Sequence, residues 1–124
     1  MSFTENYESI SVDASGDLST KQFYFMRIVS GQLTTGAAAD GGDVSGVLMD
    51  KPAAAGRAGE LAFSGVVKVV AHQAIAQNAE IQALATGKAD TAASGDYVIG
   101  EALEAATASG DIIAIKLGSR YLKA

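Results

Sequence analysis

The sequence contains no cysteine and no tryptophan, one proline (Pro52) and one histidine (His72). Without cysteine there is no disulfide and no thiolate metal site, and a reducing compartment is compatible. A lone histidine gives a metal centre or a Ser–His–Asp triad no partner that spacing identifies. The serines near glycines, Ser45, Ser64, Ser94 and Ser109, lack the Gly-x-Ser-x-Gly elbow. Long apolar runs are missing too: Val66–Ala71, already interrupted by Lys68, is far short of the ~20 residues of a spanning helix. The first twenty residues carry Glu5, Glu8, Asp13 and Asp17 and no positive charge. A secretory signal would begin basic and continue apolar, so no such signal is expected here. Nor are Lys and Arg clustered or interleaved with aromatics, and the net charge is −5. Direct nucleic-acid binding is therefore not expected. Asp40, Asp43 and Asp50 lie among glycines but lack EF-hand spacing, and no Gly-Lys-Ser/Thr follows Gly41, Gly42 and Gly46. The expectation is a chain that is not an enzyme and uses no cofactor or metal.

What is present is alanine, glycine and aliphatic residues on short segments. The 124 residues suit one domain. Aromatics make up only 6%, so large side chains contribute little burial energy. A thin Val, Ile and Leu core points to stabilisation by assembly or by docking on a larger surface. Charge is also distributed unevenly. The acidic start contrasts with Arg120 and Lys123 at the far end, which suits packing of like subunits and equally suits a solvated arm.

Turn signals divide the chain into short strands. Residues 1–20 read as an extended N-terminal arm, with Ile10 and Val12 alternating against Ser9, Ser11 and Asp13. Such an arm either frays or adds a strand to a neighbour's sheet. Gln22–Val29 is dense in aromatic and β-branched residues and apolar on both faces, which suits a strand buried on two sides. Strands are also expected at Val44–Met49, Glu60–Ala71, Glu80–Leu84, Tyr97–Leu103 and Asp111–Leu117, with a bend at Gly65. A helical turn is expected at His72–Asn78, and Glu101–Ala108 has helical propensity. Residues 21–124 thus read as one small, mainly β domain, a barrel or sandwich.

Gly46-Val47-Leu48, Lys51-Pro52-Ala53-Ala54, Ser64-Gly65-Val66-Val67-Lys68-Val69-Val70, Ala74-Ile75-Ala76 leading to Ile81, Gly95-Asp96-Tyr97-Val98-Ile99-Gly100 with Ala102-Leu103-Glu104-Ala105, and Gly110-Asp111-Ile112-Ile113 with Ile115 and Leu117 occur in this order. Together they resemble the decoration, or head cement, proteins of tailed bacteriophages. Where that family usually has a glycine before the position of Ile81, this chain has Asn78, which also accepts the left-handed conformation. The resemblance implies a β-barrel or β-tulip-like domain, often a homotrimer. It further implies a site on the outer capsid surface of the virion, where the chain would bind the major capsid protein after expansion and stabilise the shell. On that reading Ser9, Ile10, Ser11 and Val12 would pair with a partner's strand edge, and Phe23, Tyr24 and Phe25 would anchor a capsid or subunit contact.

Two other functions fit parts of the chain. One is a β-sandwich adhesion or head-fibre-associated module. The other is a swinging-arm carrier, because Gly42-Asp43-Val44, Leu48, Asp50-Lys51 and Gly65-Val66-Val67 resemble lipoyl and biotinyl domains modified at a lysine such as Lys51. Pro52 after that lysine departs from their pattern.

Overall fold

The computed structural model describes residues 5–124, apart from the Ser119 side chain. It is mainly β, as expected, with no helix among the described residues. The strands are β1 (Asn6–Ala14), β2 (Phe25–Val29), β3 (Gln32–Thr35), β4 (Gly46–Leu48), β5 (Ala58–Val70), β6 (Glu80–Ala83), β7 (Ala89–Thr91), β8 (Tyr97–Ala102) and β9 (Ile112–Leu122). They form one sheet in the order β1-β3-β2-β4-β5-β9-β8-β6-β7. A further β1–β5 pairing closes β1, β3, β2, β4 and β5 into a ring.

Period-two alternation builds the ring interior. Each ring strand contributes one fully buried residue, Ala14, Met26, Leu33, Leu48 and Leu61, joined by Leu18 and by half-buried Val12. The adjacent residues Phe25, Val47 and Ala62 turn to the opposite face, as the alternation of a strand requires. There they enter a larger core with Val67, Val69, Ile81, Ile99, Ile113 and Ile115. β2 and β4 are therefore apolar on both faces because each separates two cores. This accounts for the expected burial on two sides only at Phe25 and Met26, where the strand begins; its far end departs from that expectation, with Ile28 and Val29 41% and 45% exposed.

Phe23 lies just before it with φ 70°, a conformation that is uncommon for a bulky residue. Its N–H donates to the Leu48 carbonyl at 2.7 Å, and its carbonyl accepts from Val70 at 3.1 Å. The segment thereby connects β4 to the end of β5. Asn78 has φ 70°, so it takes the left-handed conformation that glycine would.

The helical turn expected at His72–Asn78 is absent, and the helical propensity of Glu101–Ala108, which left a helix open there, does not produce one. Residues 72–79 form bends and a turn, where Ile75 and Ala106 exchange backbone bonds at 2.9 Å in each direction. Residues 103–111 are likewise bends and turns, with Asp111 accepting from the Thr107 and Ala108 amides at 2.8 and 3.2 Å. Long-range pairing overrides the helical propensity of the alanines. The arm expected over residues 1–20 also differs in the structure. From Asn6 to Asp13 it is paired antiparallel with β5, so this segment is a strand of the ring.

Candidate partner-binding surface

Each partner of β1 holds a different length of it. β5 covers one edge from Asn6 to Asp13. On the other edge β3 pairs in parallel at Asp13 and Ala14 only. Among the described residues, the outer edge of Asn6–Val12 has no strand beside it. Ser9, Ile10 and Ser11 are exposed there, and Val12 is half-buried against the ring core.

The inner edge is held by backbone pairing and by a short polar chain. The Tyr7 hydroxyl donates to Glu60 Oε1 at 3.1 Å, and the Ser9 hydroxyl donates to Oε2 at 3.0 Å. The Glu60 backbone N–H in turn donates to Asp50 Oδ1 at 2.9 Å. Burial raises the Tyr7 pKa above its usual value, and the hydrogen bond to Glu60 and its charge add to the shift. β1 also lies against Gly65, whose φ is +106°. A Cβ there would stand 2.3 Å from the Asn6 carbonyl oxygen, so glycine is required both for the positive φ within the strand and for the close approach.

The residues expected at an interface divide by exposure. Ser9, Ile10, Ser11 and Val12 share the β1 surface. Phe23 and Tyr24 are half-buried against the two cores, and the Lys21 ammonium sits 4.9 Å from the centre of the Tyr24 ring. Phe25 is 0% exposed and packs in the larger core, so it has no surface to offer a partner.

The structure also exposes apolar residues that the sequence pattern did not single out. Pairing jumps from Ser9–Ala62 to Glu8–Ser64, which leaves Phe63 unpaired at a bulge and 45% exposed. Simple alternation would have put Phe63 on the face of Leu61. Tyr97 and Leu122 are a cross-strand pair, both exposed, next to the exposed Tyr121. β9 was expected to end at Leu117. Among the described residues its pairing with β5 does stop there, at Gly65–Leu117, but the strand continues along β8 to Leu122. The divergence of β9 from β5 opens a cleft of about 530 Å³, bordered by Val44, Gly46, Phe63, Ser64, Gly118 and Arg120. Arg120 Nε meets Asp43 Oδ1 at 2.9 Å beside it.

The polar residues weighed for chemistry lie apart. Asp40 accepts from the Ala85 amide, Asp43 holds Arg120, and Asp50 holds Glu60. Lys51 is exposed in the nine-residue connection between Leu48 and Ala58, and His72 is exposed after β5. The surface thus offers strand edges and apolar side chains, the equipment of a protein that associates with other proteins.

The phage cement protein family matches residues 7–117, and the chain belongs to it. It is thereby a structural protein of the phage virion. The match begins inside β1, well before the Gly46–Leu117 stretch that carried the resemblance in the sequence. The fold is similar to the head fibre gp8.5 N base of bacteriophage phi29, seen in a crystal structure. The TM-score is 0.69 with 16% identity, over 96% of this chain and 100% of that one. No curated protein matches the sequence.

Proposed function

We propose that this protein binds the outer surface of an expanded phage capsid as a homotrimer, contacts the major capsid protein, and stabilises the shell. The family match over residues 7–117 carries the reading. Selective binding to the expanded lattice stabilises that state by mass action, and many copies on one shell act together. The β1 surface with Ser9, Ile10, Ser11 and Val12 forms one contact, and Phe23 and Tyr24 anchor another. Phe25 supports them from the core.

The test is co-sedimentation with expanded, undecorated capsids, together with the heat stability of the decorated and bare shells. Saturation at a fixed number of copies per capsid, with a raised disruption temperature, is the expected result. Protein that stays in the supernatant at every concentration rejects the reading.

The likeness to the phi29 head fibre N base favours a second reading, in which the domain is the base of a head fibre. The same experiment separates the two. A fibre base saturates the capsid without changing its heat stability.

A further inference from the structure

A threefold ring must use two different patches on each subunit, because its contacts are heterologous. The chain carries two such patches, and they are complementary. The first is the outer edge of β1 from Asn6 to Val12, which has no strand beside it among the described residues. The second is the side of β9 beyond Leu117 that faces away from β8, where Gly118 and Arg120 border the 530 Å³ cleft.

Along the two strand segments themselves the charges are opposite, although Lys68 of β5 already meets Glu5 at 3.6 Å. From Glu5 to Ala14 there are three acids, Glu5, Glu8 and Asp13, and no base. From Ile112 to Ala124 there are three bases, Lys116, Arg120 and Lys123, and no acid. Pairing β1 with β1, or β9 with β9, brings like charges together, whereas pairing β1 with β9 brings opposite charges together. Neither edge carries proline, a common block to edge pairing. Apolar side chains flank both edges. Ile10 is 49% exposed on β1, Phe63 is 45% exposed at the cleft, and Leu122 is 59% exposed further along β9.

We infer that the β1 edge of one copy adds to the β9 edge of the next, in the cleft beside Phe63. The sheet then runs from subunit to subunit in a closed ring. This rests on the homotrimer reading above and says which surfaces build it. The three bases already have acids nearby in their own chain. Arg120 faces Asp43, Lys123 faces Glu80, and Lys116 lies opposite Glu101. These are surface partners, weak enough to be shared with or exchanged for an incoming acid.

The experiment is sedimentation velocity on the full chain with Glu8→Lys, Arg120→Glu and the double reversal, with circular dichroism to confirm that each is folded. Each single reversal is expected to weaken self-association about tenfold or more, and the double to restore it. Singles that associate like the parent, or a double with no recovery, overturn the inference.

A second arm uses the absence of native cysteine. Ser11→Cys and Gly118→Cys proteins are mixed and joined with a short bis-maleimide. Gly118 tolerates a side chain, since nothing lies within 4 Å of a Cβ built there. Cross-links between the two variants are expected. Cross-links equally strong within each variant alone overturn the head-to-tail arrangement. A parent protein that stays monomeric yet coats capsids overturns the edge pairing and the homotrimer, and leaves capsid binding itself standing. Charge-dependent assembly with no capsid binding does the reverse.

Discussion

The two cores of this protein are built on different principles. The ring core has six residues, and five of them come one from each ring strand. Four of those, Met26, Leu33, Leu48 and Leu61, are large and fully buried. The larger core spreads over many positions and includes seven alanines, Ala37, Ala62, Ala71, Ala83, Ala89, Ala102 and Ala106, beside its isoleucines and valines. A core of few large side chains loses much of its packing with any one of them. A core of many small ones depends on close backbone approach, so its glycines and alanines are hard to enlarge. The ring also has the more exposed wall. β1 buries only Ala14 fully, whereas β4, elsewhere in the same ring, is buried throughout.

Truncations should separate the cores first. Leu48→Ala and Ile115→Ala are each expected to cost about 2–5 kcal/mol in urea unfolding, the range for buried aliphatic residues. Their hydrogen-exchange patterns should differ. Leu48→Ala should release the amides of β1 and β3 most, and Ile115→Ala those of β8 and β9. Identical patterns would mean that the two cores open as one unit.

Gly65→Ala tests how the exposed wall, β1, is held on β5. The added Cβ collides with the β1 backbone at a positive φ, and the expected cost is about 1–3 kcal/mol. Protection should be lost along Asn6–Val12 while Val67–Val70 stays protected. Retained protection in β1 would show that its hold on β5 does not depend on this contact.

Glu60→Gln keeps the shape and removes the charge that Tyr7 and Ser9 address. The expected loss is about 1 kcal/mol. The Tyr7 pKa should fall toward the ordinary value of about 10, yet stay above it because burial is its larger cause. A raised pKa means that the folded state holds the proton more tightly. The stabilisation is therefore complete below the unfolded value and lost as pH rises through the folded one. An NMR titration of the Tyr7 ring checks both statements.

The smallest effect lies in the turn before β9. Asp111 Oδ2 accepts from the Thr107 amide and hydroxyl at 2.8 and 2.9 Å and from the Ala108 amide at 3.2 Å. The Thr107 amide contributes most to lowering its pKa. The folded state therefore gains from the ionised form above the usual carboxylate range, about pH 4, and loses that gain as pH falls through the lowered value. The stability advantage of the parent over Asp111→Asn should be level near neutrality and shrink in acid. An advantage independent of pH would exclude the carboxylate as its source.

Much of the strand content was legible because side chains alternate and glycines punctuate. β4, β5, β6 and β8 fall within one or two residues of their expected positions, and β9 begins one residue late. β3 and β7 escaped notice, since Gln32–Thr35 and Ala89–Thr91 are short and mostly polar or small, with no periodic signal. Their strand character comes from the neighbours that pair with them. The interface residues were legible only as segments. An aromatic triplet at 23–25 looks alike whether it lies in a core or on a surface, and the structure alone separates buried Phe25 from half-buried Phe23 and Tyr24. Phe63 shows the same limit from the other side. One unpaired residue at a bulge reverses the face that alternation assigns.

Composition, charge and period are local properties, and they suffice for a mainly β chain with no cysteine chemistry, an acidic start, a basic finish and a likeness to phage cement proteins. That the acidic start is a ring strand with one open edge, that β2 and β4 divide two cores, and that the basic finish leaves β5 to border a cleft are visible in the folded chain alone. Each of these depends on which strands pair and in what register. Register is set by contacts between residues far apart in the chain, which no local pattern encodes.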